Sequence, residues 1–341
     1  MKPTSAAPSA TAAIRPAATP PHRYGKDSTV LLHLTLAVAR ARGRLPVDVL
    51  FVDLEGQYQS TIDHVAELLR HPDVRPWWVC LPLNLRNATS AYEPFWCAWE
   101  PGREADWVRP LPDHPAVISD PAVFPFYRYR MEFEQFVTGF NAWLAGPTPT
   151  AILVGIRADE SLHRYRAVAT RVPSKRNAWT PPATTVPVPW SARDPRSPAV
   201  AFFPLYDWRF SDLWRYLGEH ALPYNRLYDL MYRAGVPFGR MRICQPYGDD
   251  QRQSLDLWQR LEPATWARVV QRVTGANTAA RYCRQSFLGY RAGHHLPPTM
   301  PSWQAYSQFL LRTLVAAFAF LRCHRRFCSL ADHPGHPRHP A

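Results

Sequence analysis

The run Val47-Asp48-Val49-Leu50-Phe51-Val52 stops abruptly at Asp53 and has a segment of helical periodicity on either side. Upstream, from Ser28 to Arg42, Val30, Leu31, Leu34, Val38 and Ala41 recur at helical spacing, with Asp27 or Ser28 as the cap and Gly43 as the stop. Downstream, a second helix is predicted over Ser60 to Arg70, and Trp77-Trp78-Val79-Cys80-Leu81 reads as the next strand. Strands separated by helices pair in parallel, because each helix supplies the crossover between them. The chain is therefore expected to be α/β, a parallel sheet flanked by helices.

The rest of the sequence extends this pattern. Residues 84–125 are rich in Trp and Pro and look irregular. Met131 to Ala145 is strongly periodic and ends at Gly146-Pro147, and Ala151 to Gly155 is the next buried strand. A proline-rich linker is expected over about 172–198, then a strand over Ala199 to Pro204 and a mostly helical remainder. Its helices are opened by Ser211, by Pro263 (closing near Gly275) and by Ser302. Residues 1–21 are a low-complexity tract of Ala, Pro, Ser and Thr without an acidic residue, expected to be a disordered leader and, less favoured, an organellar transit peptide. The predicted organisation is thus a leader over 1–21, a nucleotide-binding α/β domain over 22–240, a helical extension over 241–322 and a fraying tail over 323–341.

A net charge of +13 suits an acidic partner, a nucleotide or a nucleic acid. The arginines are scattered rather than gathered on one predicted face, however, and the only lysines are Lys2, Lys26 and Lys175. A GC-rich coding bias explains that better than a nucleic-acid footprint. The six cysteines (80, 97, 244, 283, 323 and 328) form no C-x-x-C pair, which argues against a disulfide framework or a zinc site and for a reducing cytoplasm. The longest apolar stretch, Leu314 to Leu321, is too short to cross a bilayer, so no membrane partner is expected.

Four segments carry candidate chemistry. In Arg23-Tyr24-Gly25-Lys26-Asp27-Ser28-Thr29 a glycine leads into a helix N-terminus, where backbone N–H groups and the helix dipole favour an anion. Lys26 adds a point charge and Ser28 a hydroxyl donor. This is not a Walker A loop, since the first glycine and the terminal Ser/Thr of that pattern are missing. The other three segments are Gly155-Ile156-Arg157-Ala158-Asp159-Glu160-Ser161 with Arg164; Phe203-Pro204-Leu205-Tyr206-Asp207-Trp208 with Ser211 to Leu217; and Leu222-Pro223-Tyr224-Asn225-Arg226-Leu227-Tyr228-Asp229. Taken singly, Asp53 reads as a strand-terminating cap, Arg157 and Glu160 as a surface ion pair, and Asp207 with Trp208 as a packing corner.

In this order the four segments resemble the signatures of the phosphoadenosine-phosphosulfate (PAPS) reductase-like family. The match runs on through Met231 to Pro237 and Arg242-Ile243-Cys244, which is similar to the DUF3440 branch of predicted PAPS sulfotransferases. It covers roughly residues 25 to 310. The resemblance implies a PP-loop fold, the adenine nucleotide α-hydrolase-like sheet, and a place in sulfur metabolism. It implies that Gly25, Lys26, Asp27 and Ser28 grip pyrophosphate or phosphosulfate, and that Asp53 lies where a ribose or a metal would sit. Arg157 would meet the anionic end of the ligand, and Glu160, Ser161 and Arg164 would complete the pocket. The implied ligand is ATP or PAPS, with Mg²⁺ if ATP, and the implied protein is a transferase breaking a phosphate–phosphate or phosphate–sulfate bond. No residue announces itself as nucleophile or base, so the sequence leaves the acceptor open, with a protein or a nucleic acid as the candidates. The alternatives are a nucleotide-dependent regulatory or nucleic-acid-associated protein, or an inactive copy.

The sequence also departs from the pattern. Family loops read S-[FG]-G-G-K-D-S after a hydrophobic strand, whereas here Pro21-His22-Arg23-Tyr24 replaces the strand end. A central strand is therefore expected to be missing, and Tyr24 to crowd a loop where backbone must approach pyrophosphate. No Glu-Cys-Gly-Leu-His segment is present, so thiol-based reduction of PAPS is not expected. The composition break at both ends points to a terminally altered copy of a PP-loop protein.

Overall fold

Seven strands form one sheet in the order β6-β3-β2-β1-β7-β9-β8. These are β1 (Arg15–Ala18), β2 (Val47–Val52), β3 (Val74–Val79), β6 (Val117–Ile118), β7 (Thr150–Leu153), β8 (Ser191–Arg193) and β9 (Ala199–Phe202). All neighbours run parallel except β8 and β9. The computed structural model describes residues 24–160, 198–243 and 255–282 throughout, the backbone of 15–18, short stretches at 164–165, 190–193, 247–248 and 298–306, and residues 180, 188, 296, 308, 309 and 312.

The sheet is laid down from its middle. From β1 the chain passes through α1 (Lys26–Ala41) to β2, through α2 (Gln59–Leu69) to β3, and on to β6 at the edge. Then α3 (Phe133–Ala145) carries it back so that β7 pairs with the other side of β1. The strand order reverses between β1 and β7. In open parallel sheets that reversal leaves a crevice beyond the carboxyl ends of the two strands.

β1 corrects two expectations. Residues 15–18 fall inside the tract read as a disordered leader, yet they pair with β2 (Ala17 opposite Asp48) and with β7 (Arg15 opposite Thr150). The central strand read as missing is present. An Arg-Pro-Ala-Ala run has no β-propensity and contains a proline, so composition cannot reveal it. What recruits it is the gap between two strands whose edges would otherwise be bare.

Every residue of β2 is buried, as its apolar run predicts. The exception to its apolar character, Asp48, is compensated from β3: Arg75 donates to it through Nε (2.6 Å) and Nη2 (2.9 Å), and Trp77 through Nε1 (2.9 Å). The stretch read as irregular, 84–125, holds much of a two-stranded antiparallel ribbon, β4 (Leu83–Arg86) and β5 (Phe95–Ala98), with Leu85 opposite Trp96. Helix α3 ends at Gly146, whose φ of +54° is a conformation glycine adopts without a Cβ penalty. Its Phe136 and Phe140 are fully buried against Phe124, and Phe140 also meets Trp77.

Beyond the sheet come α4 (Phe210–Glu219), α5 (Leu227–Arg233), α6 (Leu255–Leu261), α7 (Pro263–Arg272) and α8 (Ala276–Tyr282). One face of α1 packs Val30 and Leu31 against Leu205, Leu213 and Leu217, while Leu32, Leu36 and Ala39 join the main core. Residues on both sides of the boundary expected at 240/241 share the main core, among them Tyr228, Met231, Met241 and Trp258. Trp258 stacks on Tyr58 with centroids 3.6 Å apart, and Glu262 caps α2 by accepting from the N–H groups of Gln59 (2.7 Å) and Ser60 (3.0 Å). A second compact unit, Arg284–Ala341, includes the expected helix start at Ser302, whose Oγ accepts from Ala305 N–H at 3.1 Å. Cys244 and most of the proline-rich linker lie outside the described residues. Among the described residues no helix is long and apolar enough to cross a membrane.

Candidate functional site

The loop expected to bind anions follows β1 and enters α1 at Gly25, which is extended (φ −97°, ψ −169°) and lets the helix begin at Lys26. Tyr24 does not crowd it. The ring is fully buried on the core side, edge-on to Phe51 (5.1 Å, 87°), and its hydroxyl donates to the Leu50 carbonyl at 3.0 Å. Burial pushes the Tyr24 phenol well above its ordinary pKa, so it remains a neutral donor. The side chain thus fills sheet-facing space.

The loop backbone is held from two directions. Asn225, fully buried, donates through Nδ2 to the Tyr24 carbonyl (3.2 Å) and to Thr61 Oγ1 (2.9 Å), and accepts from Leu227 N–H through Oδ1 (2.9 Å). The Gly25 carbonyl accepts from Thr29 N–H (3.1 Å) and Thr29 Oγ1 (3.2 Å), and that hydroxyl also meets His64 Nε2 at 2.9 Å. A hydroxyl has one hydrogen, so both contacts are satisfied when Thr29 donates to Gly25 and His64 Nε2–H donates to Thr29. Burial lowers the His64 pKa to about 4, which keeps this neutral tautomer at neutral pH.

Charge converges on the start of α1. Lys26 and Arg157 are only 4% and 2% exposed. Lys26 Nζ lies 3.1 Å from Asp27 Oδ2, over the rings of Phe210 (5.0 Å) and Tyr228 (5.3 Å), and its backbone N–H donates to Tyr228 Oη at 3.3 Å. Burial alone would lower the Lys26 pKa, but Tyr228 and Asp27 outweigh it and the net shift is upward. Arg157 Nε pairs with Asp27 Oδ1, and its Nη1 reaches Asp159 (3.3 Å) and the Trp208 carbonyl (3.4 Å). For Asp27, burial raises the pKa, and Lys26 and Arg157 together bring it below its ordinary value. Asp159 also accepts from Phe210 N–H at 2.9 Å, tying the loop after β7 to the start of α4.

These groups enclose a cavity of about 280 Å³ at the β1/β7 reversal. Gly25, Lys26, Asp27, Ser28, Arg157, Glu160 and Arg164, all expected from the sequence, line it. Ser161 lies outside the described residues. Asp53 is not on the cavity. It is fully buried at the end of β2, accepting from Trp78 Nε1 (2.9 Å) and Glu55 N–H (3.0 Å) and pairing with Arg109. This is the strand-terminating cap, with ring support from Trp99 under Arg109. Trp208 packs against Tyr216 at 5.6 Å, whereas Asp207 beside it is exposed.

The sequence did not single out Phe210, Tyr228, Met241, Arg242 and Ile243 as cavity residues, although they complete its wall. Asn225 and Tyr228 belong to a recognisable motif whose role, clasping the loop, only the fold reveals. Phe210 carries no sequence signal.

Two family models match the chain: the phosphoadenosine phosphosulfate reductase domain over residues 123–234 and a domain of unknown function (DUF3440) over residues 235–324. The Escherichia coli K12 protein YbdN is 40% identical over 295 residues, covering 85% of this chain and 69% of YbdN. Sulfate adenylyltransferase subunit 2 of Methylobacterium radiotolerans is 26% identical over 238 residues, covering 69% of this chain but 63% of that protein. A solved PAPS reductase from Candida auris aligns at 15% identity and a TM-score of 0.31, covering 69% of this chain and 84% of that one, an overlap too loose to bear on fold or function.

Proposed function

This chain belongs to the phosphoadenosine phosphosulfate reductase-like family, and from that membership we propose that its β1/β7 cavity binds an adenine nucleotide, ATP or PAPS, by its phosphate or phosphosulfate chain. The observation that carries this reading is the convergence of two nearly buried cations, Lys26 and Arg157, on the N-terminus of α1. Backbone N–H groups of a helix start and nearly buried, fixed cations bind polyanions and stabilise the charge that develops on a phosphoryl leaving group. The reaction class is cleavage of a phosphate–phosphate or phosphate–sulfate bond, with Lys26 and Arg157 in the electrostatic role.

Mg²⁺ fits as a nucleotide-borne ion. Among the described residues no group of three or more His, Cys, Asp or Glu is placed to cage a metal. An ion carried by ATP takes its ligands from phosphate oxygens, water and one or two carboxylates, and Asp27, Asp159 and Glu160 line the cavity. When bound, it would neutralise phosphate charge.

Calorimetric titration of ATP and of adenosine 3′,5′-bisphosphate tests the reading. Binding to the wild type that is lost in Lys26→Ala supports it, and heat-silent titrations with both proteins would refute it.

A further inference from the structure

Part of the cavity wall comes from outside the phosphoadenosine phosphosulfate reductase match. That match ends at residue 234, and the domain of unknown function begins at 235. Gly239, Met241, Arg242 and Ile243, all in the second segment, nevertheless line the cavity together with the Gly25–Ser28 loop. Two sets of contacts fix that placement. A 3₁₀ turn over Phe238–Arg240 sets Phe238 edge-on to Phe210 (4.8 Å, 86°) and against Trp214 (5.2 Å), which holds the segment to α4. Met241, extended at φ −71° and ψ 111°, and Ile243 are both buried in the main core. Successive residues of an extended backbone point to opposite sides. Arg242, between two anchored neighbours, is therefore turned out of the core, and it is exposed.

Arg242 differs from the other cations of the cavity. Lys26 pairs with Asp27 at 3.1 Å, Arg157 with Asp27 and Asp159, and Arg164 stands 3.9 Å from Glu160. Among the described residues, no carboxylate pairs with Arg242. An uncommitted guanidinium on anchored backbone matches two oxygens of a phosphate or sulfate group and can hold both at once. Depth decides which group it meets. Lys26 and Arg157 are nearly buried at the helix start, whereas Arg242 is open to solvent. An acceptor must reach the bond to be broken from solvent, so the outer end of a phosphate or phosphosulfate chain lies toward the opening.

Resting on the nucleotide-binding reading above, we infer that Arg242 is a substrate-binding residue supplied by the domain-of-unknown-function segment: it holds the anionic group beyond the α-phosphorus, a phosphate in ATP or the sulfate in PAPS. That segment is then a working part of the site. Loss of Arg242 weakens only those ligands that possess the outer group.

Calorimetry on the full chain tests this with two ligand pairs whose members differ by the outer group: AMP against ATP with Mg²⁺, and adenosine 3′,5′-bisphosphate against PAPS. The proteins are the wild type, Arg242→Gln and Arg240→Gln. Arg240 is exposed and does not line the cavity, so its variant carries the same change in net charge. Arg242→Gln is expected to reduce the affinity gained from the outer group about tenfold, with AMP or the bisphosphate changed less than about twofold. Arg240→Gln is expected to match the wild type, and the pair that shows the loss tells which outer group the residue holds. An equal loss for both members of a pair, an unchanged gain from the outer group, or the same loss in Arg240→Gln would overturn the inference and leave nucleotide binding intact. No binding of any titrant to the wild type would remove the nucleotide reading and this inference with it. Circular dichroism of Arg242→Gln shows whether its fold is retained, as expected for an exposed side chain without an ion pair.

Discussion

Asn225 holds the carbonyl of Tyr24 at 3.2 Å from a position 201 residues further along the chain. Its hydrogen bonds to Tyr24, Thr61 and Leu227 are all buried, and the first of them fixes the residue immediately before the anion loop. Asn225→Ala leaves the Tyr24 carbonyl and the Leu227 N–H without that partner. We expect a loss of about 1–3 kcal/mol in stability and a weaker nucleotide affinity. Urea denaturation and calorimetry on the same variant check both, and an unchanged affinity would detach the motif from the loop.

Tyr24 gives the contrasting case. Because its ring faces Phe51 and stays off the cavity wall, Tyr24→Phe removes only the hydrogen bond to Leu50. It should cost about 1 kcal/mol of stability, with nucleotide affinity as in the wild type. A rise in affinity would mean that the hydroxyl obstructs the loop after all.

The network around Glu55 ties the domain-of-unknown-function segment to the sheet. Glu55 is fully buried, accepts from Trp99 N–H (2.6 Å) and Val108 N–H (3.0 Å), and pairs with Arg272 Nε at 3.0 Å. Arg272→Ala strands a buried carboxylate and should destabilise by about 3–5 kcal/mol, whereas Arg272→Met combined with Glu55→Gln should recover part of that loss. Equilibrium denaturation of the single and double variants measures the difference.

His64 predicts a pH dependence. Its folded pKa of about 4 lies below the ordinary 6.5, so between these values the unfolded chain binds the extra proton. The contribution is fully present above pH 6.5 and is lost as pH falls toward 4. A single such group gives a slope of at most about 1.4 kcal/mol per pH unit. His64→Gln should flatten the wild-type stability profile in that window; urea midpoints across it report the change.

Much of this was legible beforehand for a physical reason. VDVLFV and the periodic Ser28 to Arg42 segment carry their burial in their own composition, so a parallel α/β sheet followed from them directly. The loop residues Gly25 to Ser28, with Arg157, Glu160 and Arg164, fell at strand ends and helix starts, where the β1/β7 reversal gathers them. What escaped was decided by neighbours. Arg15–Ala18 is a strand only because β2 and β7 leave room for one. Asp53 looks like a ligand residue in sequence, but Trp78 and Arg109 claim its carboxylate. Phe210 joins the wall because Asp159 draws the start of α4 to the loop after β7.

Hydrogen–deuterium exchange with and without saturating ATP and Mg²⁺ locates the site most directly. Binding at the β1/β7 cavity predicts added protection in peptides covering residues 25–31 and 155–160, with peptides around Asp53 and residues 95–109 unchanged. Protection confined to the Asp53 region, or no change anywhere in a protein that calorimetry shows to bind ATP, would contradict the assignment of the Gly25–Ser28 loop as the nucleotide grip.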